Sequence, residues 1–136
     1  MEEQFNSDSK VNQEKTSASL DGELLLEELQ NYKSRGEVLA ESRRYQLTGD
    51  YTHSGKVFVH VTLKEAFGRP MMLDVDEALD ELQFRLKKDS GTRSIYTMTS
   101  PSNGKMNRIM PYFGFEYLWS VYADGVEIGR IHKRTI

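Results

Sequence analysis

Apolar residues recur at helical spacing near the start of the chain, where they predict a first helix. Leu25 and Leu29 stand four residues apart, so both fall on one face of a helix. Asp21 precedes them as an N-cap residue, because its carboxylate can accept a hydrogen bond from the first free backbone N–H groups. The pattern predicts a helix that begins at Asp21 and either ends at Gly36 or continues to about Tyr45 with the glycine inside it.

A second helix is predicted further along by a longer apolar stripe. Asp74 is its N-cap, Lys87 and Lys88 lie toward the negative end of the helix dipole, and Gly91 follows as a stop. The apolar positions of the stripe are Val75, Ala78, Leu79, Leu82 and Leu86.

Alternation of apolar and polar residues with a period of two, together with turn signals, predicts strands in the rest of the chain. The pairs Asn103-Gly104 and Asp124-Gly125 are typical of tight hairpin turns. The predicted strands cover residues 45–51, Val57–Leu63, Ile95–Thr99, Lys105–Met110, Phe115–Ala123 and Val126–Arg134.

The order of these elements favours an α+β fold. A helix, two strands and a helix are followed by about four strands, without βαβ alternation and without an internal repeat. We therefore predict two amphipathic helices packed on a mainly antiparallel sheet of about five to six strands, in a single domain over residues 19–136. Residues 1–18 have only Phe5 and Val11 as sizeable apolar groups, and we interpret this acidic and polar segment as a disordered tail.

Composition and charge narrow the classes of function. The 136 residues are 38% hydrophobic and 29% charged, and 18 Lys and Arg against 21 Asp and Glu give a net charge of -3. This is a globular composition without the polycationic character that attracts nucleic acids or membranes. The absence of cysteine excludes disulfides, thiol catalysis and thiolate metal sites. Neither a secretory signal nor an apolar run long enough to span a bilayer is present, which favours a cytoplasmic protein without membrane contact.

The strands on either side of Asp124-Gly125 predict the most informative surface. If these two residues form a two-residue turn, Trp119 lies opposite Arg130. One face of the hairpin is then apolar near the turn and aromatic and cationic toward its open end. A shift of one residue would send the cations to the other face. The members of this predicted face are Phe115, Tyr117, Trp119, Arg130, His132 and Arg134.

Three interpretations of this hairpin face are open at the level of sequence. Trp, Tyr and Arg dominate protein interfaces, which favours a small non-catalytic inhibitor or adaptor that binds a protein partner through residues 115–134. Rings beside cations also stack bases and contact phosphates, so single-stranded nucleic-acid binding is the alternative. In the third interpretation the rings face the core and the cations extend from its edge. Among functions, protein binding is the leading hypothesis.

Two further surfaces carry charge. The predicted turn at Asn103-Gly104 makes Lys105 and Arg108 a secondary basic tip, which either contacts a phosphate backbone or is an ordinary solvated turn. At the other end of the chain, residues 1–30 carry eight acids and two lysines. Acidic side chains at the start of the first helix either dock on a basic partner or complement the helix dipole. These acidic residues are Asp21, Glu23, Glu27 and Glu28.

Catalytic chemistry has little support in the sequence. The histidines His53, His60 and His132 do not have the spacing of a zinc site, and the chain lacks a Gly-rich phosphate loop. We therefore predict no metal and no cofactor. A metal-independent ribonuclease that uses His132 as acid and base is the minor alternative. An edge strand at Ile95–Thr99 or Val126–Arg134 could also pair with a second copy of the chain, which makes a homodimer a further expectation.

Overall fold

The computed structural model describes residues 31–91 and 94–135, which form a six-stranded sheet with helices on one face. The first three strands run consecutively, α1 crosses to the fourth, and a short helix α2 with a 3₁₀ turn leads to the last two. The elements are β1 (Tyr32–Glu41), β2 (Tyr45–Thr52), β3 (Val57–Leu63), α1 (Arg69–Ser90), β4 (Ser94–Thr99), α2 (Gly104–Ile109), the 3₁₀ helix (Met110–Phe113), β5 (Glu116–Ala123) and β6 (Val126–Thr135).

The strand order in the sheet is β1-β2-β3-β4-β6-β5. All neighbouring pairs are antiparallel except β3 and β4, which run parallel because α1 carries the chain across between them. The α+β class and the mainly antiparallel sheet predicted from the sequence are confirmed. The division into residues 1–18 and 19–136 stays a prediction, and the tail lies outside the described residues.

The backbone properties of a proline and a glycine determine where helix α1 begins and ends. Pro70 occupies the first turn, where its missing N–H removes no intrahelical hydrogen bond, so the helix begins at Arg69 rather than after Asp74. Gly91 ends the helix as predicted, with a left-handed φ of 76° and its N–H bonded to the carbonyl of Lys87. None of the helices in the described ranges is long and apolar enough to cross a membrane.

The core lies between the sheet and α1. Val75, Leu79 and Leu82 of the predicted stripe are fully enclosed there, together with side chains of β2, β3 and β4 and of the 3₁₀ helix. A second apolar cluster lies on the opposite face of the sheet. Its buried members are Phe58, Tyr96, Val121 and Ile131.

The first predicted helix is wrong at its carboxyl end. Residues Tyr32–Glu41 form an edge strand, so the helix neither ends at Gly36 nor continues to Tyr45. Gly36 has a positive φ of 74° at an irregular part of the β1–β2 pairing, and its N–H donates to the carboxylate of Asp50. Glycine is favoured both at strand irregularities and at the ends of helices, because both positions can require a positive φ, so the sequence alone does not distinguish the two structures. The part of this prediction over residues 21–30 lies outside the described residues.

The predicted strand at Lys105–Met110 is also wrong, because this segment forms α2. Asn103 caps the helix by accepting a hydrogen bond from the N–H of Met106, so the Asn-Gly pair begins a helix instead of turning a hairpin. The predicted edges of the sheet change as well. Strands β4 and β6 are interior and β1 and β5 are the edges, so the strands proposed for pairing a homodimer are not available.

Candidate active site

Among the described residues, the two parallel strands share fewer paired residues than any other neighbouring strands of the sheet. Strands β3 and β4 are bridged at one position, where Phe58, the second residue of β3, lies opposite Tyr96, the third residue of β4. Over the described residues 59–63 and 97–99 the two strands make no further bridge to each other. Crevices at the carboxyl ends of parallel strands are where open sheets bind ligands. We refer to this place as the β3–β4 cleft.

The amino end of α1 lies at the same end of the sheet, because residues 64–68 connect it directly to the carboxyl end of β3. Gly68 caps the helix in an extended conformation without a side-chain hydrogen bond, and the first turn contains no acidic residue. The first helical bond runs from the N–H of Met72 to the carbonyl of Gly68, which leaves the N–H groups of Arg69 and Met71 without an intrahelical acceptor. Together with the exposed guanidinium of Arg69, these donors suit an anion such as a phosphate.

A polar cavity of about 330 Å³ lies beyond the carboxyl end of β4, on the face of the sheet that carries α2. One side of it is an ion pair, in which the guanidinium of Arg130 donates to both carboxylate oxygens of Glu127 at 2.9 and 3.2 Å. These bonds and a hydrogen bond from Ser120 hold the pKa of Glu127 below its usual range. The residues lining the cavity are Asn107, Tyr117, Ser120, Glu127, Arg130 and His132.

The imidazole of His132 is fixed within this cavity by a chain of hydrogen bonds. Asn107 donates its amide hydrogens to two backbone carbonyls, so its oxygen accepts the proton of Thr99 at 2.5 Å. Since that hydroxyl has one proton, Nε2 of His132 must be the donor in its 3.0 Å contact with Thr99. Burial and the neighbouring Arg130 lower the pKa of His132, so the ring is neutral at pH 7.

A second histidine network lies on the opposite face of the sheet. Nε2 of His60 on β3 is 2.9 Å from Oδ2 of Asp50 on β2. The other carboxylate oxygen of Asp50 accepts the N–H of Gly36 at 2.8 Å, and Arg35 approaches within 3.7 Å. Burial of Asp50 acts to raise the pKa of its carboxyl, but the Gly36 N–H, His60 and Arg35 outweigh it, and the pKa lies below the ordinary value.

The hairpin of β5 and β6 differs from its predicted register. Its turn is as predicted, since Asp124 and Gly125 both have positive φ, and Tyr117 lies opposite His132. Two irregularities, at Tyr117–Trp119 and at Val121–Tyr122, shift the pairs between them. Trp119 therefore pairs with Ile131, not with Arg130, and packs into the apolar cluster on the opposite face from the cavity.

The other residues of the predicted aromatic and cationic face lie on the helix side of the sheet, but they do not form one patch. Phe115 is buried in the main core. Arg134 is buried against α1, where it bonds to Asp76, Asp80 and Gln83. Only Tyr117, Arg130 and His132 meet at the cavity.

The two predicted charged surfaces have different outcomes. Lys105 and Arg108 are exposed on α2 instead of at a hairpin tip, and a role for them stays a prediction. The acidic patch of Asp21, Glu23, Glu27 and Glu28 lies outside the described residues. Within residues 31–91 and 94–135, no three acidic or histidine side chains cluster as a metal-binding group would.

Sequence reasoning missed the pair of Asp50 and His60. A four-residue turn at 53–56 would pair Thr52 with Val57 and so place Asp50 opposite Val59, on the other face from His60. The observed register instead pairs Tyr51 with Val57, which places Asp50 opposite Phe58 and on the same face as His60. Asn107 was missed because its segment was interpreted as a strand.

Comparison with solved structures shows the fold. One similar structure is AAC(6')-Ib in complex with paromomycin and acetyl-CoA, with a TM-score of 0.51 and 22% identity over 68% of this chain and 58% of that chain. Another is an uncharacterized protein from Bacillus halodurans, with a TM-score of 0.52 and 13% identity over 85% of this chain and 66% of that one. This chain therefore spans less than two thirds of the length of either protein. No family model and no curated protein sequence matches the chain.

This likeness corrects the functional hypotheses drawn from the sequence. A non-catalytic inhibitor or adaptor bound to a protein partner is contradicted, as are the nucleic-acid and ribonuclease alternatives, because the similar structure holds acetyl-CoA and a small molecule. The hypotheses failed for a physical reason. The two binding hypotheses depended on Trp119 and Arg130 sharing a face, and the strand irregularities separate these two residues.

Proposed function

We propose that this protein is an acetyltransferase that moves the acetyl group of acetyl-CoA to an amine. The observation that carries the proposal is the shared fold with AAC(6')-Ib, whose structure holds acetyl-CoA together with paromomycin. Paromomycin bears amino groups, so an amine is the acceptor class that this likeness favours. Both ligands are small molecules, which is why an enzyme replaces a protein-binding module as the functional hypothesis.

The donor set of this chain fits the phosphates of acetyl-CoA. The amino end of α1 presents two free N–H groups and the guanidinium of Arg69, and the helix dipole adds to their attraction for an anion. Two other cations near this end are already paired, since Arg44 binds Asp74 at 2.7 Å and Lys64 binds Glu41 at 2.6 Å. Arg69 is therefore the side chain that we assign to the phosphates.

The β3–β4 cleft fits the extended remainder of the donor. Strands that are bridged at one position leave backbone N–H and C=O groups along their facing edges, and an amide-containing chain can bond to such groups. When bound, acetyl-CoA supplies an acetyl group that is already activated as a thioester. The residues of this chain have to hold that group, exclude water and accept the proton that the amine loses.

The proposal is tested first by binding. We expect acetyl-CoA to bind the full chain in isothermal titration calorimetry and to raise the free energy of unfolding by about 2.7 kcal/mol at a concentration 100 times its Kd. NADP⁺ is the control, because it carries phosphates and adenosine but lacks the thioester arm. Equal binding of both compounds, or no binding of acetyl-CoA at 1 mM, would contradict the proposal.

Turnover is then measured as release of the coenzyme A thiol with an aromatic disulfide reagent, using paromomycin, spermidine and tyramine as acceptor amines. The chain contains no cysteine, so every thiol that reacts comes from the product. For the same reason the acetyl group cannot rest on a cysteine of this chain, and we expect sequential kinetics with both substrates bound together. The cytoplasmic location inferred from the sequence stays a prediction within this proposal.

A further inference from the structure

His60 and Asp50 form a pair in which the acid is enclosed and the base is accessible. The side chain of Asp50 is 5% exposed and that of His60 is 43% exposed. Since the Asp50 carboxyl is ionised, it can only accept, and Nε2 of His60 therefore carries the hydrogen in their 2.9 Å contact. This leaves Nδ1 of His60 with the lone pair of a base. The bond from Gly36 to the second oxygen of Asp50 fixes the carboxylate in that orientation.

The position of His60 relates this pair to the β3–β4 cleft. Phe58 of β3 makes the bridge to β4, and His60 is two residues further along, where β3 is no longer paired with β4. Because side chains alternate along a strand, His60 projects on the same side as Phe58, which is the face opposite α1. A group held in the cleft therefore has α1 on one side and His60 on the other.

The two histidine networks differ in their suitability for taking up a proton. His132 lies beside Arg130, whose positive charge opposes a charged ring, and its residue is 4% exposed. Within the described part of the chain, His60 contacts the carboxylate of Asp50 and no cation, and the nearest approach of Arg35 to this pair is 3.7 Å from the Asp50 carboxylate, with the Arg35 side chain largely exposed. His132 is also displaced from the cleft, because β4 lies between β6 and β3.

We propose that His60 is the general base of the acetyl transfer, with Asp50 as its positioning residue, an inference that rests on the proposed function. The amine nitrogen forms the new C–N bond at the carbonyl carbon while the C–S bond breaks and its electron pair leaves on sulfur. The proton lost by nitrogen passes to Nδ1 of His60. The imidazolium then returns this proton to the thiolate or to water, which restores the neutral ring. Acceptor and donor thus approach the cleft from opposite faces of the sheet.

The test compares His60→Gln with two matched histidine variants of the full chain. His53→Gln makes the same change in the exposed turn between β2 and β3, and His132→Gln makes it in the cavity. Calorimetry gives the Kd for acetyl-CoA, and thiol release with paromomycin, spermidine or tyramine gives kcat/KM. We expect His60→Gln to lower kcat/KM by about 10²–10⁴-fold while the Kd for acetyl-CoA changes less than twofold. His53→Gln should behave as the unmodified protein.

Each other result has a distinct meaning. Retention of kcat/KM within threefold in His60→Gln overturns the inference but leaves the proposed function standing, and a loss in His132→Gln instead assigns the base to the cavity. Failure of the unmodified protein to bind acetyl-CoA overturns the proposed function and the inference with it.

Two further variants separate a base from a structural residue. In His60→Ala, added imidazole should restore part of the lost rate, because the exposed site can admit it and a merely structural role would not respond. Asp50→Asn keeps an oxygen for the N–H of Gly36 but no longer holds the hydrogen on Nε2, so we expect at least a tenfold loss in kcat with folding retained. An unchanged rate in Asp50→Asn, or no rescue by imidazole, contradicts the assignment.

Discussion

Gln83 and Arg134 lie 51 residues apart in the sequence and hydrogen-bond to each other twice. The amide of Gln83 donates to the backbone carbonyl of Arg134 at 2.9 Å, and the guanidinium donates back to the amide oxygen. Arg134 also donates to the carbonyl of Phe113 at 2.7 Å. The pair therefore ties the end of β6 to the middle of α1 and to the 3₁₀ helix.

We expect Arg134→Met to lower the free energy of unfolding by about 3 kcal/mol, because it leaves buried acceptors without a donor. Urea unfolding measures this change. The matched control is Arg108→Met on the exposed surface of α2, which should cost less than about 0.5 kcal/mol. Similar losses in both variants would show that the guanidinium of Arg134 contributes no more than a surface charge.

The assignment of phosphates to the start of α1 predicts the effect of reversing one charge. Arg69→Glu should weaken acetyl-CoA binding about tenfold, roughly 1.4 kcal/mol, because it places a negative charge beside the free N–H groups. Arg85→Glu makes the same change near the other end of α1 and should leave the Kd unaltered. Calorimetry of both variants in low and moderate salt measures the difference, which should shrink as salt rises. Equal effects would point to net charge alone.

The cavity histidine gives the stability of the protein a pH dependence near neutrality. Its pKa in the fold lies below the ordinary value of 6.5, so the unfolded chain takes up a proton there first as the pH falls. The stabilisation from neutral His132 is therefore complete above about pH 6.5 and is lost as the pH falls toward the lowered pKa. We expect the free energy of unfolding to decrease between pH 7 and pH 5, and to decrease less in His132→Gln.

The carboxyl groups with lowered pKa values act in a more acidic range. The stabilisation from Asp50, Glu41 and Glu127 is lost only as the pH falls below the ordinary values of 3.8 for Asp and 4.5 for Glu. The free energy of unfolding is measured by urea titration at each pH for both proteins. If His132→Gln keeps the slope of the unmodified protein, the cavity does not hold the ring neutral.

The indole of Trp119 predicts that replacement of this residue by phenylalanine is tolerated. Its N–H is buried and has no hydrogen-bond partner among the described residues, while its ring packs with the cluster around Val121 and Ile131. Trp119→Phe removes the unpaired N–H and keeps most of the ring, so the free energy of unfolding should change by less than about 1 kcal/mol. Trp119→Ala, which loses the ring, should cost about 3 kcal/mol. Thermal unfolding compares them, and equal losses would contradict this account.

Elements whose apolar pattern faces the core could be predicted from the sequence. The stripe from Val75 to Leu86 and the alternation in Val57–Leu63 gave α1 and β3, because burial enforces their periods. Strand β1 could not be predicted, since as an edge strand it is mostly exposed and its pattern carries little information.

The candidate site was harder to predict because it depends on which residues of neighbouring strands lie opposite each other, and not on the spacing of apolar residues along one strand. Counted from the turn, the extra residue Ile128 in β6 was enough to pair Trp119 with Ile131 instead of Arg130, and the irregularity in β5 then restores the predicted pair of Tyr117 and His132. No residue type in the sequence signals such an insertion. The pair of Asp50 and His60 depends on register in the same way, because the observed β2–β3 pairing differs by one residue from that of a four-residue turn at 53–56. It was missed because neither residue belongs to a recognised motif at that spacing.

The single bridge between Phe58 and Tyr96 divides the sheet into two three-stranded halves, each made of strands that are close in sequence. Contacts within a half require only short loops to close. Pairing between the parallel strands β3 and β4 requires closure of the longer segment that contains α1. We therefore expect each half to form its own hydrogen bonds early and the two halves to join late in folding. The place where the donor is expected to bind is then also the part of the sheet expected to assemble last.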